Sequence, residues 1–289
     1  MIAEKKTDYQ EMMGSIWYNE NMETEDRLFF YELEEKKNQE LDLLFDDWIN
    51  QLEKNETPIH NGKNKKTTPS DCFAKDGFFP GYFNQEKKVC FIGRETRSIG
   101  GKDFRETTME DYFNRFENKN NWWRHILYIV YGIRNEGKLS YENIPPADKI
   151  LAEMKKEEKY GFAVINISKY SNDDENSWQT NKDLVHRFLE DSDLEKTNFF
   201  ERELQILDPD VIITANLWDG TIDTKYLNLC LPNKDFSPTK TISHNKEKVA
   251  EYGKYNLNGK SIDFIDLYHF AAVKSDKYCF YNPVMKILF

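Results

Sequence analysis

The chain has 289 residues, of which 39 % are hydrophobic and 15 % are aromatic. That length and apolar share suffice for one substantial hydrophobic core, so the composition indicates a globular chain and not a disordered one. The formal net charge is -11. An acidic surface opposes broad electrostatic binding to duplex DNA, although it is compatible with a local basic cleft.

The sequence contains no apolar run of about 20 residues, the length needed to cross a bilayer, and its first residues lack the pattern of a secretory signal. We therefore expect a cytoplasmic protein with no membrane partner. The four cysteines are far apart and form no C-x-x-C pair. This spacing favours buried free thiols over a metal site. No phosphate-binding or dinucleotide motif occurs, so we expect no cofactor.

The N-terminal part of the chain is strongly charged and carries apolar residues at helical spacing, such as Leu44, Trp48 and Leu52. This spacing predicts one or two amphipathic helices, which a polar loop follows. We assign residues 1–70 to this helical extension and loop, and residues 71–289 to an α/β domain.

Four short apolar runs then predict buried β-strands. They cover residues 89–92, 162–165, 211–213 and 262–265. The first three are continuous apolar runs, which is typical of strands buried on both faces of a parallel sheet. Helix-like stretches alternate with them, over residues 108–118, 122–135, 146–159, 181–190 and 194–207. Asn258-Gly259 predicts a tight hairpin turn before the last strand. The pattern predicts a three-layer helix–sheet–helix sandwich with a central, mainly parallel four-stranded sheet.

Polar residues follow these strands at their carboxyl ends, where ligands bind in open parallel sheets. After the first strand comes Gly93-Arg94-Glu95-Thr96-Arg97, which we interpret as a ligand-binding loop. Glycine permits a tight turn there, and a carboxylate between two arginines is expected to stay ionised and to orient or activate water. The alternative is an ordinary surface ion-pair cluster.

Two further candidates follow other strands. Asn166 offers the amide acceptor and donors that suit the edge of a nucleobase, or it satisfies backbone groups of a loop. His269 could polarise a developing anion, although a lone histidine is more often structural. The remaining histidines show no metal-ligand spacing, so we predict no metal site.

The order of these elements resembles the uracil-DNA glycosylase superfamily. That family places a Gly-x-Asp-Pro-Tyr loop after its first strand, an Asn at the end of its second, a Pro-entered third strand and a His-Pro-Ser loop after its fourth. The matching stretches here are residues 93–97, 164–166, 203–213 and 269–271. The resemblance spans roughly residues 77–274 and implies the fold of that superfamily for the α/β domain.

The resemblance also implies a role for each matching position. Glu95 stands where the family has its water-orienting Asp, and Asn166 matches the Asn that reads the base. His269 matches the His that hydrogen-bonds the base carbonyl, and Val273 the residue that wedges into the duplex. Arg97 replaces the Tyr that excludes thymine, so no uracil selectivity is implied. Such enzymes flip a base out of the stack and cleave its N-glycosidic bond.

Three functions follow from these residues. The first is a DNA glycosylase-like protein acting on uracil or another altered base, with DNA or a nucleotide-like ligand as partner. The second is a glycosylase-like module without catalysis that binds a nucleotide, nucleic acid or protein partner, as the acidic charge suggests. The third is an α/β hydrolase of a small nucleoside or sugar, with Glu95 as its carboxylate.

Overall fold

The computed structural model describes residues 24–62, 66–157, 159–174, 179–217, 230–231 and 238–289. The helices are α1 (Thr24–Leu52), α2 (Pro69–Cys72), α3 (Phe104–Thr107), α4 (Asn121–Arg134), α5 (Ala147–Glu157), α6 (Lys182–Ser192), α7 (Phe199–Leu207) and α8 (Asn282–Leu288). Short π-helical segments cover Thr108–Tyr112 and Asp276–Tyr281, and a 3-10 turn covers Tyr141–Asn143.

The strands are β1 (Ile59–His60), β2 (Lys66–Thr67), β3 (Gly77–Phe78), β4 (Val89–Arg97), β5 (Ala163–Asn172), β6 (Val211–Ala215), β7 (Lys240–His244), β8 (Glu247–Leu257) and β9 (Lys260–Leu267). Strands β1 and β2 pair with each other, and the others form one seven-stranded sheet in the order β3-β5-β4-β6-β9-β8-β7. The strands β5, β4, β6 and β9 run parallel, while β3, β8 and β7 are antiparallel to their neighbours.

The sheet is therefore mixed and wider than the predicted four-stranded one. All four predicted strands are present, and they lie next to one another inside the sheet. The added strands β7 and β8 carry polar and charged side chains on their exposed face, so they lack the continuous apolar runs by which parallel strands are recognised.

Helices cover both faces of the sheet. Because successive side chains of a strand point to opposite faces, β4 sends Cys90 and Ile92 to one core cluster and Phe91 to another. The first cluster is closed by α1, α6 and α7, and the second by α4, α5 and the C-terminal segment. This arrangement is the predicted helix–sheet–helix sandwich.

Helix α1 is part of this core. Its Trp48 is fully buried, stacks on Phe199 at 5.3 Å between ring centroids and donates from Nε1 to Ser192 Oγ at 2.8 Å. Burying such a side chain stabilises a fold by about 2–3 kcal/mol. The described part of the predicted N-terminal extension thus shares its core with the sheet, and residues 1–23 lie outside the described ranges.

Several local predictions are confirmed and two need correction. Asn258 and Gly259 have φ of 50° and 84° and join β8 to β9 as a tight turn, as predicted. Helices α4 and α5 match their predicted ranges closely. The helix predicted over residues 108–118 begins earlier, because the side chain of Asp103 caps α3. The helix predicted over residues 194–207 begins only at α7, whose cap is Asn198.

Every helix within the described ranges is too short or too polar to span a bilayer.

Candidate functional site

Strands β4 and β5 continue past the point where β6 and β9 end. Gly93 lies opposite Asn166, and Glu95 lies opposite Ser168. On the other side of β4, the pairing with β6 stops with Ile92 opposite Thr214. We call the continuation, residues 93–97 with 166–172, the β4–β5 ribbon. It borders the edge of the sheet at which the parallel strands have their carboxyl ends.

The segment that follows Ile92 is therefore a strand and not the predicted loop. Its backbone groups are paired with β5, whose residues stay buried up to Asn172 although many are polar. The prediction failed because Arg, Glu and Thr side chains are common on exposed loops, and nothing in the local sequence showed that a partner strand would cover them.

Asn166 lies within β5 and not at its end, which also corrects the prediction. It is 3 % exposed, and its backbone N–H donates to Asp76 Oδ2 at 2.7 Å. Its side-chain Nδ2 faces the same oxygen at 3.4 Å. The amide is thus fixed by a carboxylate, because a buried polar group is costly unless it is hydrogen-bonded.

Because Gly93 has no side chain, the side chains of Asn166 and Trp122 can approach its backbone closely. A Cβ at this position would lie 2.5 Å from Asn166 Oδ1 and 3.1 Å from the Cη2 atom of Trp122. Trp122 is in the first turn of α4, which the side chain of Asn120 caps. It is half-buried, whereas Trp123 beside it belongs to the core. The sequence does not distinguish Trp122 from Trp123, so Trp122 was not predicted as a site residue.

His269 follows β9 and packs on Trp122, with 5.2 Å between ring centroids. Its Nδ1 accepts from the backbone N–H of Ala271 at 3.3 Å, which leaves Nε2 as the protonated nitrogen of the neutral ring. Burial, followed by the charges of Arg94 and Arg97, lowers the pKa of His269 to about 4. At neutral pH the ring is therefore an uncharged hydrogen-bond donor. Such a donor can stabilise an anion without transferring its proton.

The loop after β9, residues 268–274, is held in place by a contact between its backbone and His125. His125 is fully buried, and its Nδ1 contacts the carbonyl oxygen of Phe270 at 2.6 Å. Its Nε2 contacts Asp276 Oδ1 at 2.9 Å, and Arg124 also pairs with that carboxylate. His125 thus links the backbone of the loop to the side chain of Asp276. Val273, near the end of the loop, is 91 % exposed.

The two arginines contact segments that neighbour this edge of the sheet. Arg94 is 7 % exposed and donates from Nη2 to the carbonyl of Asn216 at 2.9 Å, just after β6. Arg97 donates to the carbonyl of Gln179 and lies 3.7 Å from Glu95 Oε1. Both place positive charge near His269, as the lowered pKa of that ring shows.

Glu95 is buried, with its side chain 4 % exposed. Its Oε1 accepts from Asn172 Nδ2 at 3.0 Å and from the backbone N–H of Asn181 at 3.1 Å. Its Oε2 is buried and has no hydrogen-bond partner in the described part of the chain. Burial raises the pKa of Glu95, and the hydrogen bonds and both arginines only partly offset this rise. The arginines thus act in the predicted direction, but burial has the larger effect.

The structure therefore brings part of the predicted set together. Asn166, Gly93, Trp122 and His269 form one contiguous cluster, which we call the cleft cluster, and the two arginines border it. Glu95 is on the same face of β4 as Gly93, two residues on, but one of its oxygens is directed at Asn172 and Asn181. Val273 lies at the outer end of the same loop as His269.

No group of three or more His, Cys, Asp or Glu side chains suited to a metal ion occurs within the described ranges. The cleft cluster instead offers an aromatic face, an amide oxygen, an imidazole N–H and nearby positive charge. Comparisons of the chain with protein-family models, with curated proteins and with solved structures found no match.

Proposed function

We propose that this protein binds a base-like ring at the cleft cluster and is a uracil-DNA glycosylase-like enzyme that cleaves the N-glycosidic bond of uracil or another altered base. The observation that carries the proposal is the convergence of Asn166, Trp122 and His269 around Gly93. These groups come from three separate parts of the chain and meet at the edge of the sheet where ligands bind.

Each group has a role that its geometry supports. The half-buried ring of Trp122 offers a stacking surface, and stacking a base on an aromatic side chain contributes about 1–3 kcal/mol. Asn166 contributes an amide oxygen to the edge of the base. Neutral His269 donates from Nε2 to a carbonyl oxygen of the base and stabilises the negative charge that grows there as the glycosidic bond breaks.

Glu95 is the proposed acceptor of the proton from the attacking water. A general base works best when its pKa is close to the working pH, and burial moves the pKa of Glu95 in that direction. Its Oε2 makes no hydrogen bond to a described residue and is the oxygen that this role requires.

A second candidate is a binding module with the same cleft and no catalysis. It is favoured by the other oxygen of Glu95, which ties β4 to the N-terminal end of α6 through Asn181. A carboxylate that holds two segments together is useful in a protein that only binds.

Base release from oligonucleotides tests the proposal. Single-stranded and duplex oligonucleotides that carry uracil, hypoxanthine or a modified pyrimidine are incubated with the protein, and abasic sites are revealed by alkaline cleavage. We expect release from at least one substrate, and loss of release in Glu95→Gln and His269→Gln. The matched controls Glu153→Gln and His244→Gln lie on α5 and β7, outside the cleft cluster, and should keep full activity.

Absence of abasic product from every substrate at high enzyme concentration would remove the enzymatic claim. Binding of the same oligonucleotides without release would then select the binding module. Release of the base from free nucleosides but not from DNA would select a small-nucleoside hydrolase instead.

A further inference from the structure

A buried ionic cluster lies directly behind Asn166. It consists of Asp76, Lys169 and Glu203, whose side chains are all 0 % exposed. The Nζ atom of Lys169 lies 2.6 Å from Asp76 Oδ1, 2.9 Å from Glu203 Oε1 and 2.8 Å from Glu203 Oε2. We call these three residues the Lys169 cluster.

One formal ion pair dominates this cluster. Burial raises the pKa of Glu203 well above its usual value, and the neighbouring Lys169 only partly offsets this rise. Burial lowers the pKa of Lys169, but the two carboxyl groups outweigh burial and raise it, so the ammonium stays charged. Both oxygens of Asp76 face N–H donors, Oδ1 that of Lys169 and Oδ2 that of the Asn166 backbone, so Asp76 accepts on both sides and pairs with the ammonium.

Packing of the core alone does not require the ion pair between Lys169 and Asp76. A buried ion pair commonly contributes no more stability than apolar side chains of the same volume, because the desolvation of both charges offsets their attraction. Lys169 is surrounded by rings of the core, with Nζ 5.6 Å from the ring centroid of Trp48 and 5.9 Å from that of Phe45. An apolar side chain would fit such surroundings, so the ion pair calls for a reason beyond stability.

The second oxygen of Asp76 supplies that reason. Oδ2 accepts from the backbone N–H of Asn166 and faces its Nδ2, while Oδ1 is held by Lys169. A carboxylate only accepts hydrogen bonds, so the amide of Asn166 must turn its NH₂ group to Asp76. Its Oδ1 is then the atom that lies over Gly93.

We propose that Asp76, held in place by Lys169, is a positioning residue that fixes the amide of Asn166 with its oxygen toward the cleft, so that the site selects a ring edge bearing an N–H donor. The choice of ligand rests on the proposed function, whereas the orientation of the amide does not. A ring edge that presents only an acceptor would meet the Asn166 oxygen with a repulsive contact.

Two isosteric variants separate positioning from burial. Asp76→Asn and Glu203→Gln each replace one carboxyl group around the same ammonium, and both are fully buried. Asp76→Asn keeps an oxygen for Lys169 and turns an NH₂ group toward Asn166, which removes the acceptor of both its backbone N–H and its side-chain amide. Glu203→Gln leaves the contact between Asp76 and Asn166 intact.

The first measurement is hydrogen exchange of the side-chain amide of Asn166 by NMR, with the signal assigned through its proximity to the Trp122 ring. We expect at least tenfold protection of one amide proton in the wild type and in Glu203→Gln, and loss of that protection in Asp76→Asn. Equal protection in all three proteins overturns the proposal. If Asp76→Asn does not fold, fast exchange of both protons in the wild type overturns it equally.

The second measurement uses free uracil and free cytosine as probes, since ring nitrogen N3 carries a hydrogen in uracil and accepts one in cytosine. We expect the wild type and Glu203→Gln to bind uracil about tenfold more tightly, the discrimination that one well-placed base contact gives, and Asp76→Asn to lose this preference. A preference of the wild type for cytosine overturns the selection of a donor edge. A protected amide in a protein that binds neither probe supports the positioning role and counts against the proposed function.

Discussion

The β4–β5 ribbon and the loop after β9 border the same cleft, but they are built in opposite ways. The ribbon buries nearly all of its polar groups, with Glu95 and Asn166 held by hydrogen bonds and charge. The loop is fixed at Phe270 through His125, while His269 stays partly exposed and Val273 is almost fully exposed. The ribbon presents buried groups that hold one another, and the loop presents the more exposed groups.

This difference predicts where substitutions are costly. A change in the ribbon should affect stability and binding together, because its side chains hold one another. A change in the loop should affect binding or chemistry with little loss of stability, because few contacts depend on its outer residues. The following experiments test this division, in order of the expected effect.

The largest effect is expected for Gly93→Ala. The added Cβ would lie 2.5 Å from Asn166 Oδ1 and 3.1 Å from Trp122, in a region where the amide is already fixed. Overpacking of this kind costs about 1–3 kcal/mol, and the displaced amide should abolish ligand binding. Denaturant unfolding measures the first effect and calorimetric titration the second.

Gly259→Ala is the matched control for that substitution. Gly259 has a φ of 84° and nothing within 4 Å of a Cβ, so the change costs about 1 kcal/mol through backbone strain alone. It should leave ligand binding unchanged. Normal ligand binding by Gly93→Ala would show that the ribbon is not the rigid floor of the cleft.

The next effect is a pH dependence that His269 brings to the loop. The pKa of the folded ring is about 4, whereas an unfolded histidine titrates near 6.5. The unfolded chain therefore binds the proton first, and the wild type should lose stability as the pH falls from 6.5 to 4, by at most about 3 kcal/mol. His269→Gln should lose less over the same range in urea titrations at each pH.

His244→Gln is the control for the histidine experiment, since it removes a histidine on β7 and leaves His269 in place. If His269→Gln and the wild type lose the same stability between pH 6.5 and pH 4, then His269 is as accessible to protons in the folded protein as in the unfolded chain. The loop would then not hold a neutral donor.

Two substitutions of Glu95 separate the structural role of the β4–β5 ribbon from its proposed role in catalysis. Glu95→Ala removes an acceptor of Asn172, which still faces the carbonyl of Gln179, and leaves the Asn181 backbone N–H unsatisfied, which costs about 1–3 kcal/mol. Glu95→Gln keeps an oxygen for these donors and should unfold within about 1 kcal/mol of the wild type. We expect both variants to lose base release. Full activity in Glu95→Gln would leave this carboxylate with the structural role only.

The smallest effect is expected for Val273→Ser. The side chain is 91 % exposed and packs on little, so stability should change by no more than about 0.5 kcal/mol. If Val273 inserts into a duplex, as the family resemblance implies, release from duplex oligonucleotides should fall while release from single strands is unchanged. An equal fall on both substrates would contradict that role.

The sequence predicted the parts of the fold that depend on local pattern. The short apolar runs located the four parallel strands, and Asn258-Gly259 located the hairpin, because both signals are contained in a few adjacent residues. The candidate residues Gly93, Asn166 and His269 were predicted for the same reason, since each follows such a run.

The rest depends on contacts between distant parts of the chain. The extension of β4 through Arg97 is stabilised by pairing with β5, about 70 residues away in sequence. Asp76 has no motif of its own and gains its role only by lying against Asn166 and Lys169. Trp122 and Trp123 are distinguished by the direction in which α4 turns them, which the sequence pair does not reveal.

The most direct test of the account is a crystal structure of Glu95→Gln bound to an oligonucleotide that carries a uracil. This variant keeps the hydrogen bonds of Glu95 while it removes the proposed base, so the substrate should remain intact. We expect the flipped ring to lie against Trp122, with its edge within about 3.2 Å of both Asn166 Oδ1 and His269 Nε2. A base that binds elsewhere on the protein, or an oligonucleotide that does not enter the cleft, would contradict the central claim.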